Sequence, residues 1–264
     1  MYGYGYQYSS ILKSGGGAPA PPAFDTDYQS VLDYATAQGY TLPSGGQQTL
    51  QNDLVVALKA AGVWDKLDTF RVYANDGGSN FALIDWKRLA LCTAVNSPTF
   101  ITNSGYSFDG TSSYIDSGFN PNTGAGLNNY KLLNASIGVW LTVAATTATT
   151  GMIGTVTGAG VRLQNLSTAA HRMNSGSIGT TINLSGDKLK AGNKTGANAW
   201  TIYNNTTETS GTGGGDSAVN SNLSDGTGGG TYFNGTTAIS YAGASLFAEH
   251  TNLYNALNTY ITSI

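Results

Sequence analysis

Glycan hydrolysis is the first chemistry to test, because a retaining mechanism needs only two carboxyl groups about 5–5.5 Å apart. The chain has two glutamates, Glu208 and Glu249. Glu208 stands in a polar, loop-like stretch (Asn204–Thr209), and Glu249 stands at the start of a helical stretch. Neither has a carboxylate two to four residues away. Asp109 and Asp116 form another candidate pair, but their setting suits turn geometry better. The sequence therefore reads as a non-enzyme with no catalytic residues.

The remaining reactive groups are few. His171 and His250 are the only histidines, and neither has metal-ligand spacing to a second His or Cys. No nucleophile-elbow motif is present. Cys92 lies in the apolar run Leu89-Ala90-Leu91-Cys92, which predicts a buried, inert thiol. Asp76-Gly77-Gly78-Ser79-Asn80 and the turn 109–116 offer oxygens that could hold structural calcium, but satisfied turns are the simpler reading. No other cofactor is expected.

Sugar binding needs an aromatic platform beside amides or carboxylates. Tyrosine is abundant, with 16 copies. The candidates for glycan contact are Tyr106, Tyr130, Tyr203 and Tyr232, with Asn128, Asn129, Asn204 and Asn205.

Elements must position such residues. Charged residues make up 10% of the 264, against about 25% in an average domain. Gly, Ser, Thr and Asn replace them, as suits an extensively contacted surface protein. The net charge is −3 with no basic cluster, which disfavours direct nucleic-acid binding. No apolar run is long enough for a transmembrane helix, and no secretory signal is read at the start.

Residues 1–23 read as an extended arm and linker. Tyr2, Tyr4, Tyr6 and Tyr8 alternate with small or polar residues, and Ile11 and Leu12 follow. A glycine hinge and a proline-rich spacer come next. These six apolar residues are the expected attachment points to a larger particle. Residues 24–69 read as a small helical segment, with Tyr28, Val31, Leu32 and Ala35 on one helix face and Leu50, Leu54, Leu58 and Ala61 on another. Residues 70–264 carry many short strand-like runs punctuated by Asn-Gly, Asp-Gly and Asn-Pro, followed by an amphipathic helix from Leu246 to Ile264, with Ser245 before it and Glu249 in its first turn. Gly211–Gly215 and Gly226–Gly230 read as surface loops. The fold class is mainly β, a two-sheet sandwich.

Two segments sharpen this. Phe108-Asp109-Gly110-Thr111-Ser112-Ser113-Tyr114-Ile115-Asp116 resembles the strand–turn–strand of laminin-G and concanavalin A-like jelly-roll sandwiches. That resemblance implies an inward tryptophan on the following long strand, and Ile137-Gly138-Val139-Trp140-Leu141 fits. Tyr241–His250 resembles the closing strand leading into a helix.

A wider resemblance rests on the early Tyr-Gly-Tyr, Phe24–Asp33, Gly39–Ser44, Ala61–Asp68, Asn96–Phe100 and Gly110–Ile115. These segments are similar to structural proteins of phages that infect Bacteroidetes-type bacteria. The resemblance implies a virion component, assembled in the bacterial host cytoplasm and exposed on the particle: a head fibre, decoration protein, spike or tail-associated protein. The implied partners are other virion proteins (capsid, portal or tail), further copies in a homo-oligomer, and host-surface polysaccharide. Alternatives are a receptor-recognition module whose primary role is carbohydrate binding and, less favoured, a glycan depolymerase.

Overall fold

The computed structural model describes residues 23–122, 129–147, 150–156, 160–165, 171–174, 176–178, 182–213, 217 and 219–264. The expected attachment residues Tyr2, Tyr4, Tyr6, Tyr8, Ile11 and Leu12, and the candidate Asn128, lie outside the described residues.

The helices are α1 (Thr26–Ala37), α2 (Gly45–Ala60), the single-turn α3 (Ser79–Ala82) and α4 (His250–Ser263). Asp25 caps α1 by accepting from the Asp27 amide, and Ser44 caps α2 by accepting from Gln47. Gly39 and Gly62 end these helices at φ +70° and +67°, a region glycine enters without strain.

The strands in chain order begin with β1 (Leu67–Val72), β2 (Ile84–Asp85), β3 (Ala90–Leu91), β4 (Thr93–Val95), β5 (Thr99–Ile101), β6 (Gly105–Ser107) and β7 (Tyr114–Asp116). Next come β8 (Ala135–Val143), β9 (Thr150–Thr155), β10 (Arg162–Asn165), β11 (His171–Met173), β12 (Gly176–Ile178) and β13 (Lys188–Gly196). The last are β14 (Ala199–Asn204), β15 (Thr207–Thr212), β16 (Leu223–Asp225), β17 (Thr227–Gly228), β18 (Thr231–Tyr232) and β19 (Thr236–Gly243).

They form a ten-stranded sheet with path β15-β14-β13-β8-β19-β1-β2-β3, in which β6 also pairs β19 and β5 pairs β6. A seven-stranded sheet runs β12-β11-β10-β9-β16-β7-β4, and β17-β18 is a separate hairpin. The described pairings are antiparallel. The fold is the mainly β, two-sheet sandwich with small helices that the sequence predicts.

Strand alternation divides the core in two. Ile137, Val139 and Leu141 of β8 join Ile115, Ile153, Leu163 and Leu223 between the sheets. Trp140, from the same strand, faces the other way, into a second cluster with Phe70, Tyr241, Leu54, Leu58, Leu253 and Leu257. The expected inward tryptophan is thus corrected: Trp140 is buried, but beneath the helices rather than between the sheets. Gly138 permits this layer to close, because a Cβ there would lie 2.4 Å from the Tyr241 ring. Residues 24–69 supply helices to a core they share with the large sheet, and β1 starts at Leu67 within that range.

Three local expectations are revised. Asn204–Thr209 holds the last residue of β14, a turn and the start of β15 rather than a loop, and β15 continues through Gly211 to Thr212. Its polar residues fit because it is an exposed edge strand. Gly226–Gly230 includes the start of the β17-β18 hairpin. The final helix starts at His250, so Glu249 is its N-cap position rather than part of its first turn. Ala82 closes α3, and β2 begins only at Ile84.

A charged cluster lies inside the sandwich. Arg71 of β1 and Asp225 of β16 meet across the two sheets, with Nε 3.0 Å from Oδ2 and both side chains fully buried. Tyr73 and Ser240 donate to the same Asp225 oxygen at 2.5 and 2.8 Å. Thr69 joins Arg71 to Asp85, whose carboxylate also accepts the Phe70 and Lys87 amides. Burial opposes the Arg71 charge, but Asp225 and its neighbours hold its pKa above the ordinary arginine value. Burial raises the pKa of Asp85 against the pull of Arg71. Arg71→Met should destabilise the fold by about 3–5 kcal/mol, because it leaves buried carboxylates without their cation. The double substitution Arg71→Met/Asp225→Leu should recover part of that loss. Urea unfolding of the three proteins checks both statements, and equal midpoints for wild type and Arg71→Met would refute the first.

Candidate functional site

Three of the four candidate tyrosines have work inside the fold. Tyr106 is buried, packs edge-on against Tyr73 and donates to the Ser79 carbonyl at 2.9 Å. Tyr130 is buried and donates to Asn174 Oδ1 at 2.7 Å. Tyr203 is buried and stacks on His250, with ring centroids 3.5 Å apart. Tyr232 is half-buried, 6.4 Å from the Tyr114 ring.

The asparagines are also engaged. The amides of Asn129 and Tyr130 both donate to the Asp68 carboxylate, and Asn129 Nδ2 caps the Asp65 carbonyl. Asn204 Oδ1 accepts from Lys190 Nζ, which also reaches the Ser185 and Asp187 carbonyls. Burial lowers the Lys190 pKa to about 8. Asn205 adopts a left-handed turn, φ +60°, and its carbonyl meets His250 Nε2 at 2.7 Å. These residues therefore do not assemble into one platform. Tyr203, Asn204 and Asn205 do share a neighbourhood, because they close the turn beside His250.

The oxygen-rich turns are occupied. Asp109 accepts the Thr111, Ser112 and Ser113 amides, which together hold its pKa well below the ordinary carboxylate range against the effect of burial. Among the described residues, no group of three or more His, Cys, Asp or Glu could hold a metal. Cys92 is buried, which pushes its thiol pKa up to about 12. His171 lies in β11, with Nε2 2.8 Å from the Ile182 carbonyl. The two glutamates sit with separate partners. Glu208 accepts from Tyr203 and Ser210, while Glu249 pairs with Lys66 at 2.7 Å.

A more open site lies beside Tyr203. The loop from β19 into α4 borders a cleft of about 340 Å³. Its walls are Lys66, Asn134 and Thr195 on one side and Ser245, Phe247 and Glu249 on the loop. The loop is held at each step. The Ala244 amide bonds Lys66 O, the Ser245 amide bonds Asn134 Oδ1, and the Leu246 amide bonds Asn193 Oδ1. Leu246 is fully buried and anchors the loop, which leaves Phe247 44% exposed at the cleft. The Tyr203 hydroxyl also lies 3.4 Å from the Phe247 carbonyl and so packs beneath the turn. Glu249 Oε2 and Asn193 Nδ2 are buried with no hydrogen-bond partner among the described residues.

The arrangement offers an exposed aromatic face, one ion pair, an amide and hydroxyls within one cleft. That set suits a neutral polar ligand with an apolar face. Sequence reasoning missed Phe247, Lys66, Asn134 and Thr195. The available signal was Phe247 itself, an aromatic residue placed one step after the buried stripe Leu246, His250, Leu253 and Leu257.

The sequence matches no family model and no curated protein. Several solved structures are similar in fold. Trypanosoma rangeli sialidase in complex with sialic acid aligns at TM-score 0.48 and 12% identity, over 80% of this chain and 39% of that one. Domain 4 of AbnA, a GH43 extracellular arabinanase from Geobacillus stearothermophilus, in complex with arabinotriose, aligns at TM-score 0.43 and 17% identity, over 72% and 98%. The binding domain of botulinum neurotoxin serotype D aligns at TM-score 0.42 and 11% identity, over 72% and 52%. The chain thus spans about two-fifths of the length of the sialidase it resembles.

Burial lowers the pKa of both His250 and His171 below the ordinary 6.5. The unfolded chain therefore takes up protons near that pH that the folded chain resists, so stability falls as pH drops through it. Thermal melting should therefore decline as the pH is lowered from about 7.5 to about 5.5. His250→Gln should flatten that decline, and an unchanged slope would show that His250 does not contribute.

Proposed function

We propose that this chain is a non-catalytic virion protein of a bacterial virus and that its sandwich holds a host-surface glycan at the Phe247 cleft. The observation that carries the glycan reading is the exposed Phe247 ring standing in one cleft with the polar side chains of Asn134, Thr195, Ser245 and Glu249. A pyranose ring places its C–H face on an aromatic side chain while its hydroxyls reach amides and carboxylates. Phe247 supplies the face. Glu249, Asn134, Thr195 and Ser245 supply the polar partners. Lys66 is a donor that also neutralises Glu249.

The virion reading rests on the resemblance of Phe24–Asp33, Gly39–Ser44 and Ala61–Asp68 to phage structural proteins, and on the low charge of the chain. In this reading the arm 1–23 anchors the protein to capsid, portal or tail, and several copies display their sandwiches outward. The separate partners of Glu208 and Glu249 favour binding over glycan cleavage.

Calorimetry with capsular polysaccharide from a susceptible host tests the site. Phe247→Ala should weaken binding about tenfold, equivalent to about 1.4 kcal/mol, with the melting temperature unchanged. No reducing ends should be released. Equal affinity of wild type and Phe247→Ala would remove the site. Antibody to the sandwich should label intact particles in electron micrographs, and particles without label would remove the virion assignment.

A further inference from the structure

We propose that the groove between α2 and α4 is the seat of the segment Tyr2–Tyr8 of the same chain. The groove has a volume of about 530 Å³. Its floor is apolar and shallow, formed by Leu54, Ala57, Ala61 and Ala256. Its rim carries Asp53, Asn252, Asn255 and Thr259. A second cleft, of about 410 Å³, shares Leu50 with it and continues towards Ser44 and Ile264. The two clefts together follow most of the length of α2.

The chemistry of the groove matches tyrosine better than a purely aliphatic residue. Alanines leave room for a flat ring, and the polar rim offers partners for a phenolic hydroxyl. Alternation in an extended segment puts Tyr2, Tyr4, Tyr6 and Tyr8 on one face. Six residue steps of extended chain span about 20 Å, and the 16 residues of α2 span about 24 Å.

The exit point of the chain agrees with this. The Asp25 amide donates to Asn52 Oδ1 at 2.7 Å, and its carboxylate pairs with Lys59 at 2.7 Å. The arm therefore leaves beside α2, on its flank towards α1. Helical spacing places Val56 between that flank and the groove, and Val56 is 47% exposed. The path crosses one helix width, about 10–12 Å, and the residues between Tyr8 and Asp25 can extend about 50 Å. A tether this short raises the local concentration of the arm to the millimolar range, which favours its own groove over that of another molecule. The proposal does not depend on the glycan reading, and attachment to a particle would draw the same segment out of the groove.

The test uses the full chain and chymotrypsin, which cuts after tyrosine. Mass spectrometry follows cleavage after Tyr4, Tyr6 and Tyr8. Cleavage in wild type should be about tenfold slower than in Ala57→Arg, because a seated segment is cut only when it opens. Ala57 and Ala60 are exposed and arginine is a good helix former, so these variants should fold, as matched melting curves would verify. Ala60→Arg should repeat the effect, and Gln38→Arg on an exposed position after α1 should not. Equal cleavage rates in wild type, Ala57→Arg and Ala60→Arg would overturn the proposal. Protection that disappears on dilution as a sedimenting dimer dissociates would also overturn it, by assigning the groove to the arm of a second copy.

Discussion

The contact between Arg71 and Asp225 is the constraint around which the sandwich is built. One residue comes from each sheet, and both are fully buried. A guanidinium in that position tolerates few alternatives, because a small shift between the sheets would leave a charge without its partner. Tyr73 and Ser240 add donors to Asp225, and Thr69 links the pair to Asp85. The cluster thus fixes the register of β1 against β2 and β19 as well as the position of β16 beneath them. Apolar packing sets how much surface is buried, and this polar cluster sets which arrangement of the sheets is allowed.

The helical layer depends on that arrangement. β1 turns Arg71 inward and so presents Phe70 and Val72 to the helices. A chain of hydrogen bonds ties the layer together: Tyr28 donates to Gln51, Gln51 to Tyr260, and Tyr260 to the Ala74 carbonyl just after β1. Through it α1, α2 and α4 are held to one strand. α4 then fixes the loop before it, and that loop presents Phe247. The cleft is therefore positioned by contacts that begin in the middle of the sandwich.

The sequence makes the helices legible because their burial follows an unbroken 3.6-residue period, as Tyr28, Val31, Leu32 and Ala35 show. Strands were legible where apolar residues dominate, as in β8. β13 was not, because Lys190, Asn193 and Lys194 are polar and still buried, an exchange that only the tertiary contacts reveal. β15 was hidden because its residues are polar and mostly exposed. Trp140 was read on the wrong face, since a strand buried on both sides gives no alternation to choose between them. The candidate tyrosines failed as a platform for a related reason. A tyrosine in a loop and a tyrosine under a helix look alike until their hydroxyl partners are known. Phe247 becomes visible only when the break between β19 and α4 is placed at its true position.

β15 closes one end of the ten-stranded sheet and pairs with β14 alone among the described strands. Among the described residues, one side of its backbone therefore presents a row of amides and carbonyls that no strand pairs. Such a row is a template for another extended chain. Over Thr207–Thr212 the formal charge opposing that pairing is Glu208, which is already engaged with Tyr203 and Ser210. This border is thus one place where ordered stacking could begin in concentrated solutions, and a lysine placed along it would act as a solubility tag built into the fold.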